Sequence, residues 1–278
     1  MNLRAILSLS FAAALVPVAA EAGIPVTQRM TCPIGGGRFD FTTTGSYSTW
    51  GARPDGKPFG SWHFPLDLPE CPANGLVVYR EFSEAELERL RPLVASPEYQ
   101  ALRQSGDTPY YRAYWLMRRM DAPAPDTLWT LVQASWQAEP DPALRRRYLE
   151  ELVAEAPRLG EPDNVTVLAV RSRVINALRE LGRFEEAEAM LRATPVESVA
   201  PDSATVRSTA DWRGHYRTLA GLIERRDSSI EPIAMIPWRE GRRRCEQPDG
   251  LDEIQRATCR ERLAEEAAAP APPADHDH

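Results

Sequence analysis

The sequence predicts a mostly α-helical chain with a small β-rich module on its N-terminal side. Three observations carry this expectation. Residues 24 to 80 are rich in Gly, Thr, Ser, Pro and aromatic residues, with short alternating runs among them. From Ser83 onward, capping residues and prolines recur at helix-length spacing. Between those markers the apolar residues follow helical periodicity.

The composition is that of a folded protein. The chain has 278 residues, 43 % of them hydrophobic and 26 % charged. Its 33 basic residues face 40 acidic ones, a formal net charge of −7. This balance argues against a nucleic-acid partner, because phosphate binding needs a basic face.

The first 22 residues read as a secretory signal peptide. Arg4 supplies the positive end, Ala5 to Ala19 are uncharged and mostly apolar, and Ala20-Glu21-Ala22 offers small residues for cleavage. The apolar run is shorter than the roughly 20 residues a spanning helix needs. The expectation is a mature chain starting near Gly23, with no membrane span after cleavage, in the periplasm or secreted. Lys57 is the only lysine, and the preference for Arg fits a bacterial envelope protein.

Residues 23–82 form the β-rich module. Arg38 to Thr44 alternates as a half-buried strand does, and Leu76 to Tyr79 reads as a second strand. Pro54-Asp55-Gly56 is a turn between them. Such a module is too small to hold itself without a staple.

Residues 83–227 form the helical array. Ser83 to Glu86 is a capping box. Pro92 ends or kinks that helix, and Ser96-Pro97 opens the next. Thr108-Pro109 opens a helix to about Met120. Pro123 and Pro125 break it, and Asp126 caps a helix to about Gln137. Asp141-Pro142 starts one to about Ala156. A further helix runs from Asp163 to Leu181, a partner from Phe184 to Ala193, and a long helix from Asp202 to about Arg226. The short loops predict antiparallel hairpins. Gly182, Phe184 and Ala187 match the turn and second-helix entry of a tetratricopeptide repeat. In residues 228–266, Pro232, Pro237 and Pro248 break the pattern. Arg242-Arg243-Arg244 reads as solvated surface, and a last helix spans Leu251 to about Glu266. The Ala/Pro-rich residues 267–278 read as a disordered tail.

The chain has four cysteines, Cys32, Cys71, Cys245 and Cys259. An even count in an exported protein predicts disulfides, and four cysteines allow three connectivities. Cys32–Cys71 with Cys245–Cys259 closes the shortest loops. The first pair sits in two alike turns, Cys32-Pro33-Ile34-Gly35-Gly36 and Cys71-Pro72-Ala73-Asn74-Gly75. A zinc ribbon uses two such knuckles, each with a second cysteine, to build a tetrahedral thiolate site. Here Gly35 and Asn74 stand where those second cysteines belong.

On these knuckles, and on the acidic amphipathic stretch Phe82 to Leu90 that follows, the chain resembles an uncharacterised bacterial family. Its members begin with a Cys-Pro-x-Cys-Gly zinc ribbon and continue into tetratricopeptide-like helices. The resemblance covers roughly residues 30 to 195. It implies a degenerate ribbon followed by helical hairpins. It brings no enzymatic activity, and the family's zinc does not carry over.

No nucleophile elbow, zinc-protease helix or phosphate loop is present, so no catalytic residue and no cofactor are assigned. The expected function is a non-enzymatic interaction or assembly scaffold with a protein or peptide partner in the cell envelope. The alternative is a periplasmic metal-binding protein using Cys32, His63 and Cys71. The aromatics Tyr111, Trp115, Trp129 and Trp136 read mainly as interhelical core, with a ligand groove as the second reading.

Overall fold

The computed structural model describes residues 23–161, 164–194, 196 and 209–268. The signal segment, the Asp163 and Asp202 helix starts and residues 269–278 lie outside the described residues. The β module comes first. Strands β1 (Pro25–Thr31) and β2 (Arg38–Thr44) pair antiparallel, Met30 opposite Phe39. Strands β3 (Thr49–Ala52) and β4 (Pro58–Gly60) form a second hairpin, closed by the Pro54-Asp55 turn. The alternation expected in Arg38–Thr44 is present.

The segment Leu76–Tyr79 is not a strand. It makes one isolated bridge, Glu70 to Val77. Its backbone is engaged elsewhere. The Leu76 N–H donates to the Asn74 side chain at 2.9 Å, and the Val77 N–H to the Tyr99 hydroxyl at 3.3 Å. A β-rich propensity lost here to side-chain partners, one local (Asn74) and one from the helical array (Tyr99).

Helices follow in chain order: α1 (Glu84–Ala95), α2 (Pro97–Gln104), α3 (Pro109–Arg119), α4 (Ala124–Gln137) and α5 (Pro142–Glu155). A 3₁₀ turn (Ala156–Leu159) precedes α6 (Val165–Glu180), α7 (Phe184–Arg192), α8 (Thr209–Glu224), α9 (Trp238–Glu246) and α10 (Glu253–Ala268). The expected capping box is formed at Ser83 and Glu86. Ser96, Thr108 and Asp141 cap α2, α3 and α5 as their sequences indicate.

Four boundaries differ from expectation. Pro92 lies inside α1, which closes one turn later because Pro removes one backbone donor without forbidding the next residues. Helix α4 starts at Ala124, ahead of Asp126. Pro125 is tolerated in a first turn where its missing N–H has no partner to lose. Residues 238–246 form α9, although the flanking prolines suggested a broken segment. Those prolines stand at its ends. Helix α10 continues through Ala268, into the stretch expected to be tail.

The array has a regular packing scheme. Helix α4 packs on α5 and α6 on α7; α5 packs on α6 and α7 on α8; α4 and α8 both touch α6. Helix α6 is the axis. Its Val167, Val170, Val174 and Ala177 join the core shared with α4 and α5. Its Val165, Leu168, Ile175 and Leu178 join the core shared with α7 and α8. The α6–α7 turn needs Gly182, whose φ of 75° suits a residue without Cβ. There the Arg183 N–H reaches the Leu178 carbonyl at 2.8 Å and the Gly182 N–H reaches Arg179 at 3.0 Å.

Candidate functional site

The two cysteine turns are built alike. In each, the Cys N–H donates to the carbonyl five residues on: Cys32 to Gly37 at 2.8 Å, Cys71 to Leu76 at 2.9 Å. The Cys carbonyl accepts from the glycine four residues on, Gly36 at 3.2 Å and Gly75 at 2.8 Å. The Asn74 side chain donates to the Ile34 carbonyl at 2.9 Å and so ties one turn to the other. Cys32 and Cys71 are joined by a disulfide, with Cα atoms 5.6 Å apart. Both are buried in a cluster with Leu76, Leu90, Tyr99 and Leu116.

This arrangement does not fit a metal. The two sulfurs are bonded to each other, and Gly35 and Asn74 bring no ligand. His63 is exposed and meets Asp67 at 3.0 Å. The set Cys32, His63 and Cys71 is therefore not assembled, because disulfide formation removes both thiolates. Among the described residues no group of three or more His, Cys, Asp or Glu could hold a metal ion.

The second turn is clamped onto the helices. The Tyr99 hydroxyl donates to the Gly75 carbonyl at 2.7 Å. Arg112 donates to the same carbonyl at 3.2 Å and to Glu70 at 2.6 Å. Gln100 holds the Asn74 carbonyl at 2.9 Å. Burial pushes the Tyr99 hydroxyl up to about 12, so it stays a donor.

The four aromatics divide between separate environments. Tyr111 stacks on Tyr148 with centroids 4.3 Å apart and donates to Glu151 at 2.7 Å. Trp115 faces the disulfide cluster, 5.6 Å from Tyr99, with the Arg119 guanidinium 3.4 Å over its ring. Trp136 is buried and meets Trp129 edge-on at 5.5 Å. Trp129 lines a hollow of about 540 Å³ with Leu68, Tyr79, Tyr110, Met117 and Met120. A larger hollow of about 870 Å³ lies among α5, α6 and α7, walled by Val153, Leu159, Leu178 and Met190.

The most concentrated chemistry lies on the side of α6 that neither apolar core uses. Ser172, Arg173, Asn176, Arg179 and Glu180 are all buried there. The β3–β4 turn and residues 227–229 cover them. Arg173 donates to the Pro54 carbonyl at 2.9 Å. Arg179 donates to the carbonyls of Asp227 at 2.5 Å and Ser229 at 2.8 Å. Arg145 of α5 pairs with Glu180 at 2.5 Å and stands 3.7 Å from Asp55. Arg53 pairs with Asp55 at 2.6 Å, with Glu231 at 3.3 Å and with Glu139. Lys57 reaches Glu139 at 2.6 Å, and Arg244 of α9 pairs with Glu231.

Burial alone would raise the Asp55 carboxyl, but Arg53 and Arg145 beside it hold it below its ordinary value. Burial likewise works against Arg53, and Asp55 and Glu139 reverse the sign, so its pKa is raised. For Arg179 burial wins, and its pKa is lowered. The network joins the β module, the array and the C-terminal segment. Buried ion pairs of this kind fix geometry more than they add net stability.

Sequence reasoning missed this network. It read Pro54-Asp55-Gly56 as a turn only, and Arg242 to Arg244 as solvated surface. The signal present was the polar stripe Arg173, Asn176, Glu180, spaced by three and four residues on a helix apolar on its other sides. Cys245 and Cys259 form the second disulfide, Cα atoms 5.4 Å apart, which ties α9 to α10.

No protein-family model matches the chain, and no curated protein or solved structure matches it either. Among the described residues no helix is long and apolar enough to cross a membrane.

Proposed function

We propose that this chain is a non-enzymatic interaction or assembly scaffold of the cell envelope, acting in the periplasm or after secretion. The observation that carries the reading is the packing scheme of α4 to α8. Successive helices pair, and α4 and α8 both also touch α6, which is how tetratricopeptide hairpins stack. Phe184 and Ala187, both buried at the α6–α7 junction, support it. Stacked hairpins hold partners on rigid helical faces and need no reactive group.

The two disulfides support an oxidising compartment. The resemblance to ribbon-plus-tetratricopeptide proteins supports the same two-part organisation, with the first disulfide in place of the metal. The test is native size. In gently prepared envelope extract, the protein should elute in an assembly larger than the purified chain, and its N-terminus should lie near Gly23. Elution at the size of the purified chain, from a cytosolic fraction, would oppose the reading.

A further inference from the structure

We infer that the Ala52–Lys57 turn is a displaceable occupant of the buried α6 face, and that this face accepts in its place a partner segment presenting an arginine and a glutamate on a tight turn. The inference rests on the scaffold reading and names its binding site.

The contact between turn and face is made by charge and backbone. Arg173 takes the Pro54 carbonyl, Arg53 meets Glu139 and Glu231, and Lys57 meets Glu139. Gly56 lies so close to Arg173 that a Cβ there would come within 2.8 Å of its Nε. Of the large apolar residues in the same hairpin region, Phe59 packs against the small cluster of Ile233, Ile236, Cys245 and Cys259, whereas Tyr47 is 47 % exposed and Trp50 59 %. Ion pairs give back little on burial, since both partners surrender hydration, so releasing this turn restores water to every group it frees. The array keeps its own cohesion, because its two apolar cores contain no residue of the turn. Among the described residues β3 and β4 pair only with each other, so no sheet anchors the hairpin.

The receiving face is incompletely satisfied by its present occupant. The Arg145 side chain is 6 % exposed, yet its Nε and Nη2 have no hydrogen-bond partner. An Asp55 carboxylate oxygen stands 3.7 Å from Nη2. That is beyond hydrogen-bond reach, and a carboxylate one methylene longer would close the gap. The geometry thus selects glutamate over aspartate in the competing segment, two residues after its arginine. Arg53 supplies the pattern for the arginine, between Glu139 and Glu231.

The test uses the full mature chain and a fluorescein-labelled peptide of residues 50–59, in its native form and carrying Asp55→Glu. The receptor is the chain with Arg53→Ser and Asp55→Ser, its helix content checked by circular dichroism. This variant should bind both peptides, the Asp55→Glu form about threefold or more tighter. Wild type should bind about tenfold or more weaker, because its own turn competes. Adding Arg145→Met to the receptor should abolish the preference for glutamate. Absence of binding to the folded variant, or equal binding to variant and wild type, would overturn the inference.

If the double variant does not fold, the wild-type chain decides. Excess Asp55→Glu peptide should accelerate amide exchange at Arg53 and Gly56 while leaving the α6 amides unchanged. No change at those two amides would overturn the inference. Such a failure beside a stoichiometric envelope partner would remove this site and leave the scaffold reading intact.

Discussion

Removing the Cys32–Cys71 bridge tests the view that the β module cannot hold itself. The perturbation is Cys32→Ala with Cys71→Ala, so that no free thiol remains. The two cysteines are 39 residues apart. The loop-entropy relation gives about 13 cal/mol/K for that separation, or about 3.9 kcal/mol at 25 °C. The other bridge spans 14 residues and comes to about 3.0 kcal/mol on the same relation. Both sulfurs of the first bridge also sit in the cluster that joins the module to α1, α2 and α3, so alanine leaves a small void there. Urea unfolding followed by circular dichroism at 25 °C is the assay. The Cys32/Cys71 variant should lose about 4 kcal/mol and more than the Cys245→Ala, Cys259→Ala variant. Wild type in excess dithiothreitol, which opens both bridges, should fall below that midpoint. A loss below about 1 kcal/mol would refute the reasoning, since the turns would then hold their geometry without the bond.

Further expectations follow from single side chains. Phe184→Ala should cost about 3–5 kcal/mol in a thermal or urea melt, because the ring is buried between α7 and α8 under the Arg226 guanidinium. An unchanged midpoint would mean that the ring does not plug this junction. Arg179→Met should cost about 3–5 kcal/mol, since it strands the buried Asp227 and Ser229 carbonyls and leaves Asp227 and Glu180 short of a cation. A neutral result would show that the segment after α8 docks without that clamp. Stability should fall as the solution turns alkaline. Burial raises Tyr99 and Tyr110 to about 12, and burial again, with Glu151 at two of them, raises Tyr111, Tyr114, Tyr148 and Tyr216 further. A raised folded-state pKa stabilises fully below the unfolded value of about 10 and loses that contribution as pH rises through the folded value. Phenolate absorbance at 295 nm should therefore lag, then rise together with unfolding. Titration of most of the eight tyrosines near pH 10 with the helices intact would contradict the burial described.

Much of the helical part was legible because helix ends are written locally. Ser83, Ser96, Thr108 and Asp141 each satisfy orphan N–H groups three residues or fewer away, so the sequence alone locates them. The cysteine pairing was legible for the same reason, two matching turns and short loops. Strands β1, β3 and β4 were not, because short hairpins depend on pairing partners more than on their own residues. Leu76–Tyr79 failed in the opposite sense: its β-branched residues are buried by Tyr99 and the disulfide cluster, not by a neighbouring strand. The α6 network was hidden because partners that bond in it lie up to 178 residues apart, as Arg53 and Glu231 do. A polar stripe looks the same in sequence whether water or another segment covers it.

The most direct measurement of the central claim is quantitative affinity capture of the chain at its natural level from cross-linked cells, with each co-purifying protein counted against it by mass spectrometry. The scaffold account predicts one or a few envelope proteins at near-equimolar amounts, retained through washing and lost when Phe184→Ala disrupts the α6–α7 hairpin. A chain recovered alone, or with partners indifferent to that change, would contradict it.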